Sequence, residues 1–97
     1  MSAFITTGVG FSGEWNSRLA GQGVAKDLLV NLNNQKPRIV LLFSTIHYDN
    51  NGGFQELLSG VYDVLPSDVE LIGGTVAGFI IPKGCFTHGV AAFACHE

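Results

Sequence analysis

Ile39 to Phe43 is an unbroken apolar run of strand length, and it lies between two segments whose apolar residues recur with helical spacing. A run of that kind belongs to a strand covered on both faces. Its alternation with helical stripes restricts the chain to an α/β layer architecture. The stripe before it is Ala20, Val24, Leu28 and Leu32, flanked by Ala25 and Leu29. The stripe after it is Phe54, Leu57, Leu58, Val61 and Leu65, which fall on one helical face. Asn33-Asn34-Gln35-Lys36-Pro37 breaks the first helix. Leu65-Pro66 ends the second, because proline disfavours the helical conformation in the residue before it.

Three further segments read as strands. Phe4 to Phe11 is rich in β-branched and aromatic residues. Val69 to Ile72 starts another, which continues through Gly73-Gly74-Thr75-Val76-Ala77-Gly78 toward Phe79-Ile80-Ile81. Val90 to Cys95 closes the chain and is apolar throughout. The predicted order is β-α-β-α-β-β in one α/β domain over residues 1–97: a four-stranded mixed sheet with both helices on one face. The strands joined through helices are parallel, and the last two form an antiparallel hairpin. Ser12 or Asn16 is placed to cap the first helix. Gly21 and Gly23 each cost that helix ~1 kcal/mol relative to alanine, which predicts close approach of the helix to the sheet.

The second sheet face, left without helices, calls for a layer from another chain. Composition points the same way. Charged residues are 13% of the chain and hydrophobic ones 46%, against about 25% charged in an ordinary soluble domain. Such a chain is not disordered, and its shortage of charge predicts a homo-oligomer, in the simplest case a dimer. The net charge is −3 and the five basic residues are scattered, which argues against nucleic acid as a partner. No apolar stretch approaches the roughly 18 residues of a membrane span, and Met1-Ser2-Ala3-Phe4 does not open a secretory leader. Cys85 in a turn and Cys95 at the far end of the next strand would stand about 20 Å apart, beyond the reach of a disulfide. Two free thiols point to the cytoplasm.

The candidate site follows from the sheet. In open α/β sheets ligands bind beyond the carboxyl ends of the parallel strands. Ser44, Thr45, His47 and Tyr48 lie at that end of the second strand, Ser12 at the equivalent end of the first, and Gly73, Gly74 and Thr75 on the third. Hydroxyls there can donate or accept for a small polar molecule. His47 would make binding pH-sensitive. Glycine inside a strand marks either close approach of a ligand or tight packing, and both readings stay open. The glycine cluster is neither a P-loop nor a dinucleotide fingerprint, because it has no lysine and opens no helix. Three histidines and two cysteines lack the paired spacing of a zinc site. No nucleophile elbow supports Ser44 or Cys85 as a nucleophile, so no catalytic residue, metal or cofactor is assigned.

Taken together, several segments resemble the amino-terminal part of the FIST domain. They are Gly8-Val9-Gly10-Phe11-Ser12, Pro37-Arg38-Ile39-Val40-Leu41-Leu42-Phe43-Ser44 followed by Tyr48, Leu57-Leu58-Ser59-Gly60, Leu71-Ile72-Gly73-Gly74-Thr75-Val76-Ala77-Gly78 and Gly89-Val90-Ala91-Ala92-Phe93-Ala94. The resemblance implies an intracellular sensory module for a small ligand such as an amino acid, working in signal transduction. Two other functions compete with it: a structural or protein-interaction module that oligomerises without a ligand, and a small hydrolase-like enzyme.

Overall fold

The computed structural model describes residues 6–96. Six strands and two helices follow in the order β1 (Thr6–Ser12), α1 (Ser17–Asn31), β2 (Ile39–Ser44), α2 (Phe54–Val64), β3 (Glu70–Thr75), β4 (Phe79–Ile81), β5 (Gly84–Phe86) and β6 (Val90–His96), with a 3-10 turn at Ile46–Asn50. Four strands form a mixed sheet in the order β1-β6-β2-β3, and β4 with β5 forms a separate two-stranded ribbon. β2 and β3 are parallel, while β6 runs antiparallel to both of its neighbours. The predicted α/β class, the two helices and the four-stranded mixed sheet are all present. Phe4 and Ile5, expected in the first strand, lie outside the described residues.

The last connection differs from expectation. The third strand does not run on to Ile81, and it forms no hairpin with the final one. It stops at Thr75, the ribbon intervenes, and β6 returns between β1 and β2. The apolar character of β6 on both faces explains this: a strand that buries Val90, Ala91 and Ala92 alike belongs in the middle of a sheet. The edge positions fall to β1 and to β3, which carries Glu70 and two glycines.

The helices share one face. Val40 and Leu42 of β2 with Val90 and Ala92 of β6 meet Ala20, Val24, Leu28 and Leu32 of α1, and Leu57 and Val61 of α2, in a single core. Asn16 caps α1, its side-chain oxygen accepting from Leu19 N–H at 3.0 Å, whereas Ser12 accepts from Glu14 N–H instead. The helical glycines divide their work. Gly23 lies against Ser12 of the sheet as predicted, but Gly21 faces α2. A Cβ built at Gly21 would stand 2.1 Å from Leu57 O, and one at Gly60 2.3 Å from Arg18 O, so the two helices cross with their backbones in near contact. The close approach of α1 to the sheet comes from Gly10 of β1, where a Cβ would stand 2.5 Å from Val24 O. Over the helix crossing, Arg18 pairs with Asp63 at 2.6 Å and Glu56 at 3.3 Å. This holds the Asp63 carboxyl below its ordinary value, mainly through the Arg18 and Gln22 hydrogen bonds.

Among the described residues no helix covers the opposite sheet face. It presents Val9 and Phe11 of β1, Phe93 and Cys95 of β6, Ile39 and Leu41 of β2, and Ile72 of β3. The outer edge of β1 is closed by α1: Phe11 N–H donates to Asp27 at 2.9 Å, and Asn31 donates to Val9 O at 2.6 Å. Phe11 also stacks on Phe86 at 4.3 Å and meets the edge of Phe79 at 5.9 Å, and Lys83 lies 3.6 Å from Asp27. These contacts hold the ribbon along the β1 side, so a trough of about 720 Å³ opens between ribbon and sheet, with Leu41, Phe93 and Ile81 in its lining.

Candidate functional site

Placing β6 between β1 and β2 splits the predicted site. The carboxyl ends of β1 and β2 no longer adjoin, and the eight residues fall into two groups.

Ser44, Gly73, Gly74 and Thr75 line one cleft of about 280 Å³, whose floor is the β2–β3 pair and whose wall is Phe54, Leu57 and Leu58 of α2. The cleft arises because β2 and β3 are the one adjacent parallel pair, with Ser44 opposite Thr75 at their carboxyl ends. Helix α2 opens beside it from Gly53, whose φ of 92° excludes most side chains and which offers no side-chain cap. The first-turn backbone donors of α2 therefore have no N-cap side chain, and Phe54 of that turn lines the cleft. The two strand glycines are not equivalent. A Cβ at Gly73 would fall 1.6 Å from Leu42 O, so this glycine serves the approach of β3 to β2. At Gly74 a Cβ would meet nothing within 4 Å. By strand alternation that Cβ would point to the helix-free face, so Gly74 reaches the cleft through its backbone. Packing is the reading for Gly73, and open space the finding at Gly74.

Ser12, Thr45, His47 and Tyr48 form the second group, beside the amino end of β6. Thr45 Oγ1 accepts from Gly89 N–H at 3.1 Å, and Thr45 N–H donates to Gly89 O at 3.0 Å. Thr45 is 1% exposed, so its hydroxyl locks the β2 exit against β6 and is unavailable to a ligand. Tyr48 is fully buried and its hydroxyl donates to Glu14 O at 2.7 Å. Burial, with the Glu14 carboxylate nearby, pushes its pKa up to about 12, so it stays a neutral donor. Both were expected at the ligand; in the structure their hydroxyls are taken up by backbone, Gly89 before β6 for Thr45 and Glu14 after β1 for Tyr48.

Sequence reasoning missed the company that His47 keeps. Its Nδ1 lies 2.9 Å from Thr45 Oγ1, and its ring lies 4.9 Å from His88 and 5.5 Å from Trp15. His88 stacks on Trp15 at 3.6 Å, and its Nε2 is buried without a hydrogen-bond partner. No spacing in the sequence links residues 15, 47 and 88; the β6 insertion does. Burial, and then the neighbouring His47, lowers the His88 pKa below 6.5. The native state therefore holds His88 neutral while the unfolded chain protonates at its ordinary value. Stability is complete above about pH 6.5 and falls as pH drops through that value. Urea unfolding curves from pH 7 to 5 are expected to show this loss, and His88→Phe, which keeps a ring on Trp15, to flatten it. An unchanged slope in the variant would place the pH dependence elsewhere. Asp63 and Asp68, both lowered from 3.8 by ion-pair partners, titrate below this window.

Among the described residues no group of three or more His, Cys, Asp or Glu side chains is placed to hold a metal, and no helix is long and apolar enough to cross a membrane. Cys85 and Cys95 are both free. No family model matches the chain, and no curated protein matches it.

Proposed function

We propose that the chain is a non-catalytic sensory module for a small polar ligand, bound in the cleft between α2 and the carboxyl ends of β2 and β3. The observation that carries this is the cleft itself. It sits where an α/β sheet diverges at its one parallel pair, and combines an apolar wall with Ser44, Thr75 and uncapped helix donors. At about 280 Å³ it lies just below the roughly 300–1,000 Å³ typical of ligand sites. That suits a molecule the size of an amino acid better than a nucleotide. The resemblance to the amino-terminal part of the FIST domain supports the same reading, and the two free thiols fit a cytoplasmic setting.

A thermal-shift panel of amino acids and related metabolites tests it, because a ligand that binds only the native state raises stability. One compound is expected to stabilise the parent chain. Thr75→Val, which keeps shape and removes the hydroxyl, is expected to weaken that compound about two- to tenfold, the equivalent of one lost neutral hydrogen bond. Equal affinity in the variant would move the site away from the cleft.

A second reading, a module that works by self-association as a homodimer, is favoured by a separate observation. The helix-free sheet face carries Ile39, Leu41, Phe93 and Ile72 where a solvated face would alternate to polar residues.

A further inference from the structure

We propose that the helix-free face binds a second copy of this chain face to face, with the two-fold axis lying in the interface and parallel to the strands. The proposal names the partner and symmetry for the self-association reading, and it is independent of the cleft.

The face is apolar and uneven. Leu41 is 41% exposed on the central strand β2, and Ile72 56% exposed beside it on the edge strand β3. Solvated sheet faces do not carry such rows. Four strands about 4.8 Å apart and about 20 Å long span about 400 Å² in projection. The ribbon wall and the two rims extend this toward the roughly 800 Å² per partner of a standard interface.

Register decides the axis. Val9 pairs with Phe93, Phe93 with Leu41, and Leu41 with Ile72, so these four form one row straight across the sheet. Rotation about an axis parallel to the strands reverses the order β1-β6-β2-β3 and keeps each row level. Ile72 of the second copy then lies over Val9, and Leu41 of the second copy over Phe93. The β3 side stands open, with Ile72 the most exposed large apolar side chain of the four-stranded sheet. The β1 side is the concave one, where the trough of about 720 Å³ runs between the ribbon and Val9, Leu41 and Phe93. One axis thus seats each knob in the other copy's hollow, which an isologous interface requires.

Charge sets the two axes apart. Glu70 is the charged residue that β3 brings to this face, and its row ends on β1 at Thr7. The reversal carries Glu70 of the second copy over Thr7, away from the Asp27 carboxylate that Lys83 meets beside Phe11. The alternative axis, perpendicular to the strands, sets β3 on β3 and brings the two Glu70 residues to the same rim. Packing at the aligned angle of sandwiches, about 30°, fits either sheet twist.

Light scattering on the eluting chain tests this. The parent is expected at twice its 10.3 kDa mass at micromolar concentration. Leu41→Glu and Ile72→Glu, on side chains already open to solvent, are expected to elute as folded monomers with unchanged circular dichroism. Ile80→Glu changes the most exposed apolar side chain, 80% open on the ribbon, and is expected to leave the dimer intact. A monomeric parent overturns the proposal. So does a dimer that survives both sheet variants, or one that Ile80→Glu alone dissociates, which would put the contact on the ribbon. Ligand stabilisation that persists in the Leu41→Glu monomer would keep the cleft reading standing whichever way the dimer result falls.

Discussion

Gly60→Val is expected to lose about 3 kcal/mol, at the top of the range for overpacking a close-packed interior, and Gly21→Val a similar amount. The reason is the kind of atom each side chain would meet. A Cβ at Gly60 lands 2.3 Å from Arg18 O and 3.0 Å from Gln22 N, and one at Gly21 lands 2.1 Å from Leu57 O. All three are backbone atoms held by helical hydrogen bonds, so no rotamer change relieves the clash and the helices must part. Val24 and Leu28 on α1 and Leu57 and Val61 on α2 are at most 2% exposed and pack across this seam. Separation therefore loosens the core as well as the crossing. Against a total stability of about 5–15 kcal/mol for an ordinary domain, either variant stands near the limit of folding. Urea unfolding checks it, and a loss under about 0.5 kcal/mol in both variants would mean that the helices do not cross at these glycines.

Adjacent glycines in β3 are expected to respond in opposite senses. Gly73→Ala puts a methyl 1.6 Å from Leu42 O, which lies within the β2–β3 pairing itself. The strand must lift from its one partner, at a cost of about 3 kcal/mol by the same overpacking argument. Gly74→Ala adds a methyl where nothing stands within 4 Å, and alanine recovers up to about 1 kcal/mol of the entropy that glycine loses in a strand. Denaturation of the two variants side by side makes the comparison, and equal losses would contradict the different surroundings of the two positions. Because Gly73 is needed to bring β3 to β2, the same substitution is also expected to open the cleft.

What the sequence revealed were the parts whose causes are local. The 3.6-residue stripe from Phe54 to Leu65 and the apolar run from Ile39 to Phe43 form the helix and the strand read from them, but the strand, expected to be covered on both faces, is buried on one only, with Ile39 38% and Leu41 41% exposed on the other. The position of β6 was not legible, because its pairing is decided by residues 46 to 90 positions away. The unbroken apolar run from Val90 to Cys95 marks a strand that is apolar on both faces, but not which strands flank it. That one insertion accounts for most of the divergence at the site. It separated Ser12 from Ser44, turned Thr45 toward Gly89, and brought Trp15, His47 and His88 together. Ser44, Gly73, Gly74 and Thr75 stayed together because parallel pairing through a helix is the connection that local patterns do determine. The destination of Gly21 was equally hidden: a glycine in a helix announces a close neighbour, and only the fold decides whether that neighbour is a sheet or another helix.

The most direct test of the ligand site is an amide chemical-shift titration of the isotope-labelled chain with the compound that gives the largest thermal shift. The cleft predicts saturable changes at Ser44, Gly73, Gly74 and Thr75 and in the first turn of α2 at Phe54 to Leu57, while the indole of Trp15 stays in place. Changes centred on Trp15 and His88, or on Leu41 and Ile72 of the open sheet face, would contradict it.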